Sequence, residues 1–383
     1  MTTFADILSQ LSDDSLERVR RKVPEWASAE GLSFPTRLST EQCSSQETAF
    51  YKAGLLRSIC DEAKPCVLDL TGGLGVDCWA FSRIAGRVHY NEADPVLAEA
   101  VKANFAALGV TNATFSNICV APETFAEAVA AAGFAPDVIY LDPARRSETG
   151  RKVFLLEDCR PDVVELAPAL MDASPLVLVK LSPMADISMV RRRLGASVRE
   201  IHIVAAQGEC KELLVLMERG WNGPCETVVQ GMRFRPEEEE SCQPVLVRDR
   251  QELGSRKLLF EPSAALLKAG CFNLLSSRFA LAKLGRFTHL YVSDEASDEL
   301  AEYGKLFSIK GLHSFDKRSL SALAKAVGRC EVTARNIPIT SEALRKKMGV
   351  ASGGDTHLFA FTADFGEAPS ERLVLECSRI IRP

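Results

Sequence analysis

The stretch Val67-Leu68-Asp69-Leu70-Thr71-Gly72-Gly73-Leu74-Gly75-Val76-Asp77 constrains this chain more than any other. It reads as an apolar strand that ends in an acid and breaks into a glycine turn. Glycine has no Cβ and accepts positive φ, so such a turn lets the backbone approach a ligand closely and points to a nucleotide-like cofactor. A dinucleotide fingerprint needs G-x-G-x-x-G, but Cys78 stands where the third glycine should fall. Dinucleotide binding is therefore disfavoured. A lone glycine turn can also be only a tight turn, so the order of elements must decide the fold.

That order is regular. Strand one (66–70) leads to a helix (77–84), strand two (88–92) to a helix (96–108), and strand three (113–116) to an alanine-rich helix (123–132). Strand four (137–141) runs into Asp142-Pro143-Ala144-Arg145-Arg146, and strand five (176–181) ends at Ser182-Pro183. Alternating strands and helices give a parallel, doubly wound α/β sheet, which binds ligands at the carboxyl ends of its strands. Segments 200–206 and 212–217, joined through Gln207-Gly208, read as an antiparallel pair closing the sheet.

Of the 383 residues, 46% are hydrophobic, enough for two or three domains with their own cores. No run of about 18 apolar residues occurs, and Met1-Thr2-Thr3-Phe4-Ala5-Asp6 has neither a basic nor an apolar leader region, so a cytoplasmic protein with no membrane partner is expected. The 12 cysteines include no C-x-x-C pair and the five histidines are dispersed, so reduced thiols and no metal site are expected. Residues 264–383 carry 17 Lys and Arg against 13 Asp and Glu, whereas the remainder carries 29 against 38. The tail is the part better suited to a polyanion, although so mild an excess is also ordinary on solvated surfaces.

With an acid four residues before Gly73 and Glu92 17 residues beyond Gly75, the chain resembles the class I S-adenosylmethionine-dependent methyltransferases. The resemblance implies a Rossmann-like sheet and S-adenosylmethionine as cofactor. Its methionyl and ribose parts would face Asp69, Thr71, Gly73, Gly75 and Asp77. Glu92 and Ala93, ending strand two, would hold the ribose, and Asn117 or Cys119 would lie by the adenine. Ser44, in the polar stretch Glu41–Thr48, is a cofactor contact or simply part of a helix cap.

Further on, Val332-Thr333-Ala334-Arg335-Asn336, Leu344-Arg345-Lys346-Lys347-Met348 and Gly353-Gly354-Asp355-Thr356-His357 resemble the THUMP-like domain that follows a group of bacterial class I methyltransferases. Members share E-P-x-A-A-x-x-x-A-G, here Glu261–Gly270, and place a small ferredoxin-like module between the two parts. The expected organisation is an N-terminal helical segment (1–62), a methyltransferase domain (63–262), a connecting helix and ferredoxin-like module (263–322) and a THUMP-like domain (323–383). Within it, 263–284 reads as one amphipathic helix and the acidic run 236–242 as a loop. THUMP domains bring structured RNA to modifying enzymes, so the resemblance implies RNA as partner.

Methyl transfer is an in-line displacement, so the protein must position a nucleophile and accommodate its proton. Enzymes acting on exocyclic base amines carry N/D-P-P-aromatic after strand four. Here Asp142 and Pro143 are kept, while Ala144 and Arg145 replace the second proline and the aromatic. D-P-A-R also resembles the 5-methyluridine enzymes, which need a cysteine near the end of strand five, and Val179-Lys180-Leu181-Ser182-Pro183 has none. The glycine turn with Tyr140-Leu141-Asp142-Pro143 resembles a ribosomal-RNA guanine-N2 methyltransferase, which implies a base nitrogen as acceptor and Asp142 and Pro143 as the catalytic loop. Otherwise Asp142 merely caps that loop. Arg145 and Arg146, with Arg151 and Lys152, and in the tail Arg345, Lys346 and Lys347, are the candidate RNA contacts; a solvated surface is the alternative. A methyltransferase of small molecules or protein, and a catalytically weak RNA-binding adaptor, are the competing readings.

Overall fold

The computed structural model describes residues 14–60, 64–145, 156–295, 297–366 and 368–380. The chain divides into two compact units, one of residues up to 206 with 210–228, the other of 207–209 with 229 onward. No helix among the described residues is long and apolar enough to cross a membrane.

In the first unit β1 (Cys66–Asp69), β2 (Arg87–Asn91), β3 (Ala113–Ser116), β4 (Val138–Leu141) and β5 (Leu176–Leu181) run parallel in the order β3-β2-β1-β4-β5. The hairpin β6 (Val198–Ala206) and β7 (Glu209–Glu218) extends it, with β7 antiparallel to β5, then β6, then β8 (Glu226–Val229). Gln207 and Gly208 both have positive φ, 54° and 80°, the mirror-image turn that matches strand twist. The central strands are near-continuous apolar runs because helices cover the sheet.

These helices are α1 (Arg37–Gln42), α2 (Gln46–Ile59), α3 (Val76–Ser82), α4 (Pro95–Ala107), α5 (Phe125–Ala131), α6 (Val163–Ala173) and α7 (Ile187–Leu194). Local chemistry sets their starts. Ser45 caps α2 by accepting the Thr48 N–H, and Asp94 caps α4 by accepting from Val96 and Leu97, with Pro95 at the first helical position. One core joins α2, α3 and α4 to Val67, Val88, Val138, Leu178 and Leu214 of the sheet and takes in Val19, Val23 and Trp26. Trp79 meets Trp26 edge-on at 5.6 Å and stacks on Phe50 at 5.5 Å. The described N-terminal residues therefore share the core of the sheet.

The second unit holds β9 (Leu258–Pro262), β10 (Ala282–Gly285), β11 (Thr288–Ser293), β12 (Gly304–Ser314), β13 (Glu331–Arg335), β14 (Thr356–Ala363) and β15 (Glu371–Arg379), in the order β10-β11-β9-β12-β15-β14-β13. Only β13 and β14 among its described pairs run parallel. Its helices are α8 (Pro236–Ser241), α9 (Arg250–Ser255), α10 (Ala264–Ala269), α11 (Phe272–Phe279), α12 (Asp298–Glu302), α13 (Lys317–Val327) and α14 (Ser341–Met348).

Two expectations are corrected here. The segment 263–284 is not one helix: Gly270, at φ 76°, ends α10 in the left-handed conformation, α11 follows, and 282–285 is a strand. The acidic run is not a loop but α8. Its glutamates work at helix starts: Glu238 accepts the Arg235 N–H, and Glu239 accepts from Asn273 and Leu274 at the start of α11.

Candidate active site

The glycine turn between β1 and α3 is fixed by packing at two positions and open at a third. A Cβ on Gly72 would lie 2.0 Å from the Tyr90 ring, and one on Gly75 would lie 2.7 Å from Val101 and 2.8 Å from Phe105. Gly73, at φ 54°, has nothing within 4 Å of its Cβ position, so its face of the turn is open to a ligand. The Tyr90 hydroxyl donates to the Gly73 carbonyl at 2.6 Å and holds the turn from below.

Around this opening stand polar groups at the strand ends. Asp69 is buried; one carboxylate oxygen accepts the Thr71 N–H at 3.0 Å, and the other has no hydrogen-bond partner. Burial pushes its carboxyl well above the usual range. Glu92, after β2, accepts from the N–H groups of Gly73 and Asp94, both at 2.9 Å, and the Asn117 amide donates to its carbonyl. Ala93 is exposed beside it. The loop after β4 is tied to the same turn, because the Asp142 N–H donates to the Thr71 hydroxyl at 2.5 Å. Next to Asp142, half-buried Pro143 leads into Ala144-Arg145, which pairs antiparallel with Cys159-Arg160.

Asp142 has a partner that the motifs do not announce. Lys180, in the last turn of pleat of β5, places its ammonium 2.5 Å from Asp142 Oδ2. The lysine side chain is 13% exposed and the carboxylate 38%, so the pair has a covered side and an open side. Burial by itself would lower the lysine's pKa, but Asp142, Asp77 and Glu212 outweigh it and hold Lys180 above the usual lysine range.

Behind this pair lies a closed ionic cluster. Lys52 of α2 is wholly buried and reaches Glu212 Oε1 of β7 at 2.7 Å and Asp77 Oδ1 of α3 at 3.2 Å. The other Asp77 oxygen accepts from the Ser44 and Tyr140 hydroxyls, both at 2.8 Å. Burial alone would raise Asp77, yet Lys52, Lys180 and these hydroxyls bring it below the usual carboxylate range; for Glu212 burial prevails and the pKa is raised. Ser44 and Asp77, expected to face a cofactor, are thus engaged with protein groups. Ser45, not Ser44, is the N-cap of α2.

The candidate RNA contacts fall in different places. Arg146, Arg151 and Lys152, and the side chain of Arg145, lie outside the described residues. On α14, Arg345 is half-buried, Lys347 is exposed, and Lys346 pairs with Glu342 one turn earlier at 2.7 Å. The sequence motifs do not single out Lys52, Lys180 or Glu212, and Tyr140 figures in them only as the start of the stretch Tyr140–Pro143. The available signal was Lys180 itself, a charge inside the otherwise apolar run Leu176–Leu181.

Comparison with known proteins agrees with this architecture. Residues 258–300 match a family described as a ferredoxin-like domain, and residues 304–379 one described as THUMP domain-like. An S-adenosylmethionine-dependent methyltransferase of Mycobacterium tuberculosis, itself uncharacterized, is 27% identical over 287 residues, covering 74% of this chain and 73% of that protein. A crystal structure from Porphyromonas gingivalis W83, assigned as a methyltransferase, is 31% identical and superposes with a TM-score of 0.81 over 96% of this chain and 88% of its own. With that identity across almost all of both chains, the protein belongs to the same family, the S-adenosylmethionine-dependent methyltransferases that carry ferredoxin-like and THUMP-like domains after the catalytic sheet.

Proposed function

We propose that this methyltransferase acts on RNA, with the glycine turn holding the cofactor and the Asp142 loop receiving the acceptor. The observation that carries the RNA reading is the THUMP-like match over residues 304–379 on the same chain as a methyltransferase sheet. The positive balance of the tail and the basic end of α14 support it. S-adenosylmethionine supplies an electrophilic methyl group on a sulfonium. The residues suit it: Gly73 faces open space, and the unpartnered Asp69 oxygen is an acceptor for a cationic group such as the methionyl ammonium. Glu92 is assigned to the ribose hydroxyls, with Ala93 and Asn117 assigned beside the base. Asp142 and Pro143 face the acceptor, and Arg145, Arg146, Arg345, Lys346 and Lys347 are assigned to phosphate contacts.

The test is transfer of tritiated methyl from S-adenosylmethionine to RNA from a strain lacking the protein. Label that ribonuclease does not release from the macromolecular fraction would point to a protein acceptor instead. In the same preparation Glu92→Ala should weaken cofactor binding at least about tenfold, since a hydrogen bond to a charged group contributes roughly 1.5–3 kcal/mol. Gly73→Val should do worse, because its side chain enters the open space at a positive φ that valine resists. Calorimetric dissociation constants equal to wild type would remove both residues from the cofactor site.

Replacing Arg345, Lys346 and Lys347 together by alanine should weaken RNA binding without altering cofactor affinity. Three lost phosphate contacts flatten the salt dependence by about two units on single-stranded RNA. The Glu342 pairing is exposed and worth about 1 kcal/mol or less, so the fold should survive. An unchanged salt slope would make this helix end a solvated surface.

A further inference from the structure

The side chains beside the acceptor position are a donor and an acceptor, and this pairing selects among nucleophiles. Lys180 is held at 2.5 Å from Asp142 Oδ2, and the carboxylate is 38% exposed, so a ligand at the open side meets an ammonium and a carboxylate together. An exocyclic base amine presents two hydrogens and a single conjugated lone pair. It is complemented by two acceptors and has nothing to offer an adjacent ammonium, because its single lone pair is the one that attacks. A hydroxyl presents one hydrogen and two lone pairs. One lone pair attacks, the other accepts from Lys180, and the hydrogen goes to Asp142, so every group is satisfied.

The surroundings keep the lysine in this role. An exposed Lys–Asp pair would be loosely held, but Lys180 is mostly covered and lies in the field of Asp77 and Glu212, which are themselves anchored by the fully buried Lys52. Three carboxylates around two lysines maintain Lys180 as a cation and a donor. No aromatic ring follows Asp142 to stack on an extruded base: the next residues are Pro143, Ala144 and Arg145.

We propose that the methyl acceptor is a ribose 2′-hydroxyl of RNA, gripped between Lys180 and Asp142. The proposal rests on the RNA reading above and replaces the base nitrogen that the loop motif alone implies. In the step, a lone pair of the hydroxyl oxygen forms the new bond to the methyl carbon while the carbon–sulfur bond breaks and its electron pair stays on sulfur, leaving a neutral thioether. The hydroxyl proton, made strongly acidic as the oxygen becomes an oxonium, passes to the Asp142 carboxylate. Lys180 remains protonated throughout and fixes the oxygen's second lone pair.

The test uses the full-length protein, tritiated S-adenosylmethionine and total RNA from a strain lacking it, followed by alkaline hydrolysis. Alkali cleaves RNA through attack by the 2′-oxygen, so a 2′-O-methylated position survives as a dinucleotide. Label in alkali-stable dinucleotides is the expected result, and Lys180→Met should lower it about 100-fold or more with cofactor affinity kept within a few-fold. Label in mononucleotides would overturn the hydroxyl acceptor while leaving the RNA reading intact, and no label in RNA would overturn both. Undiminished labelling by Lys180→Met would remove Lys180 from the grip.

Discussion

Asp142→Ala should lower turnover by about 10²-fold or more while the dissociation constant for S-adenosylmethionine stays within a few-fold. The carboxylate lies at the end of β4 and points at Lys180, whereas the polar groups around Gly73 belong to β1, β2 and the turn between. Removing it takes away the proposed proton acceptor and frees the Lys180 ammonium from the partner that aims it. The backbone link to Thr71 runs through the Asp142 N–H and is kept in the alanine variant, so the turn should not move. Asp142→Asn retains shape and one acceptor oxygen but not the charge, and should be nearly as slow, which separates charge from volume. Single-turnover rates with saturating cofactor, set beside calorimetric affinities, make the measurement. Wild-type rates in either variant would leave Asp142 as a loop cap.

The largest expected loss of stability is at Lys52→Met. The lysine is fully buried between Glu212 and Asp77, and methionine fills the volume but leaves two interior carboxylates without their paired cation, offset only by the field of Lys180. Breaking such a buried pair typically costs about 3–5 kcal/mol, a large part of a domain's net stability. Urea titration at pH 7 should show it as a lowered midpoint. Adding Glu212→Leu should return part of the loss, because an apolar replacement of both partners removes the uncompensated charge. A midpoint unchanged by Lys52→Met would mean that water reaches the cluster and solvates the carboxylates.

The parts of this protein legible in sequence are those written by contiguous residues. The strand and glycine turn, the alternation of β1 to β5, the closing hairpin and the loop after β4 each announce themselves in neighbouring stretches of sequence. The ionic cluster does not. Lys52 and Glu212 are 160 residues apart, and nothing in α2 distinguishes a lysine aimed inward from one in water. The loop motif reads as an amine site and carries no trace of the Lys180 ammonium beside Asp142. Similarly, the pattern over 263–284 keeps an amphipathic period across Gly270, and only the left-handed cap shows that the chain turns there.

The burial of Lys52 also bears on how far the first unit could be dissected. A piece cut to begin at residue 63 would keep every strand and the whole glycine turn, yet would lose Trp26 from against Trp79, Ser44 from Asp77 and the cation from Glu212. It would present one bare apolar face and two acids repelling each other beneath it. Autonomy of this catalytic half thus requires a start ahead of Val19, and grafts onto other scaffolds must carry the leading helices with the sheet.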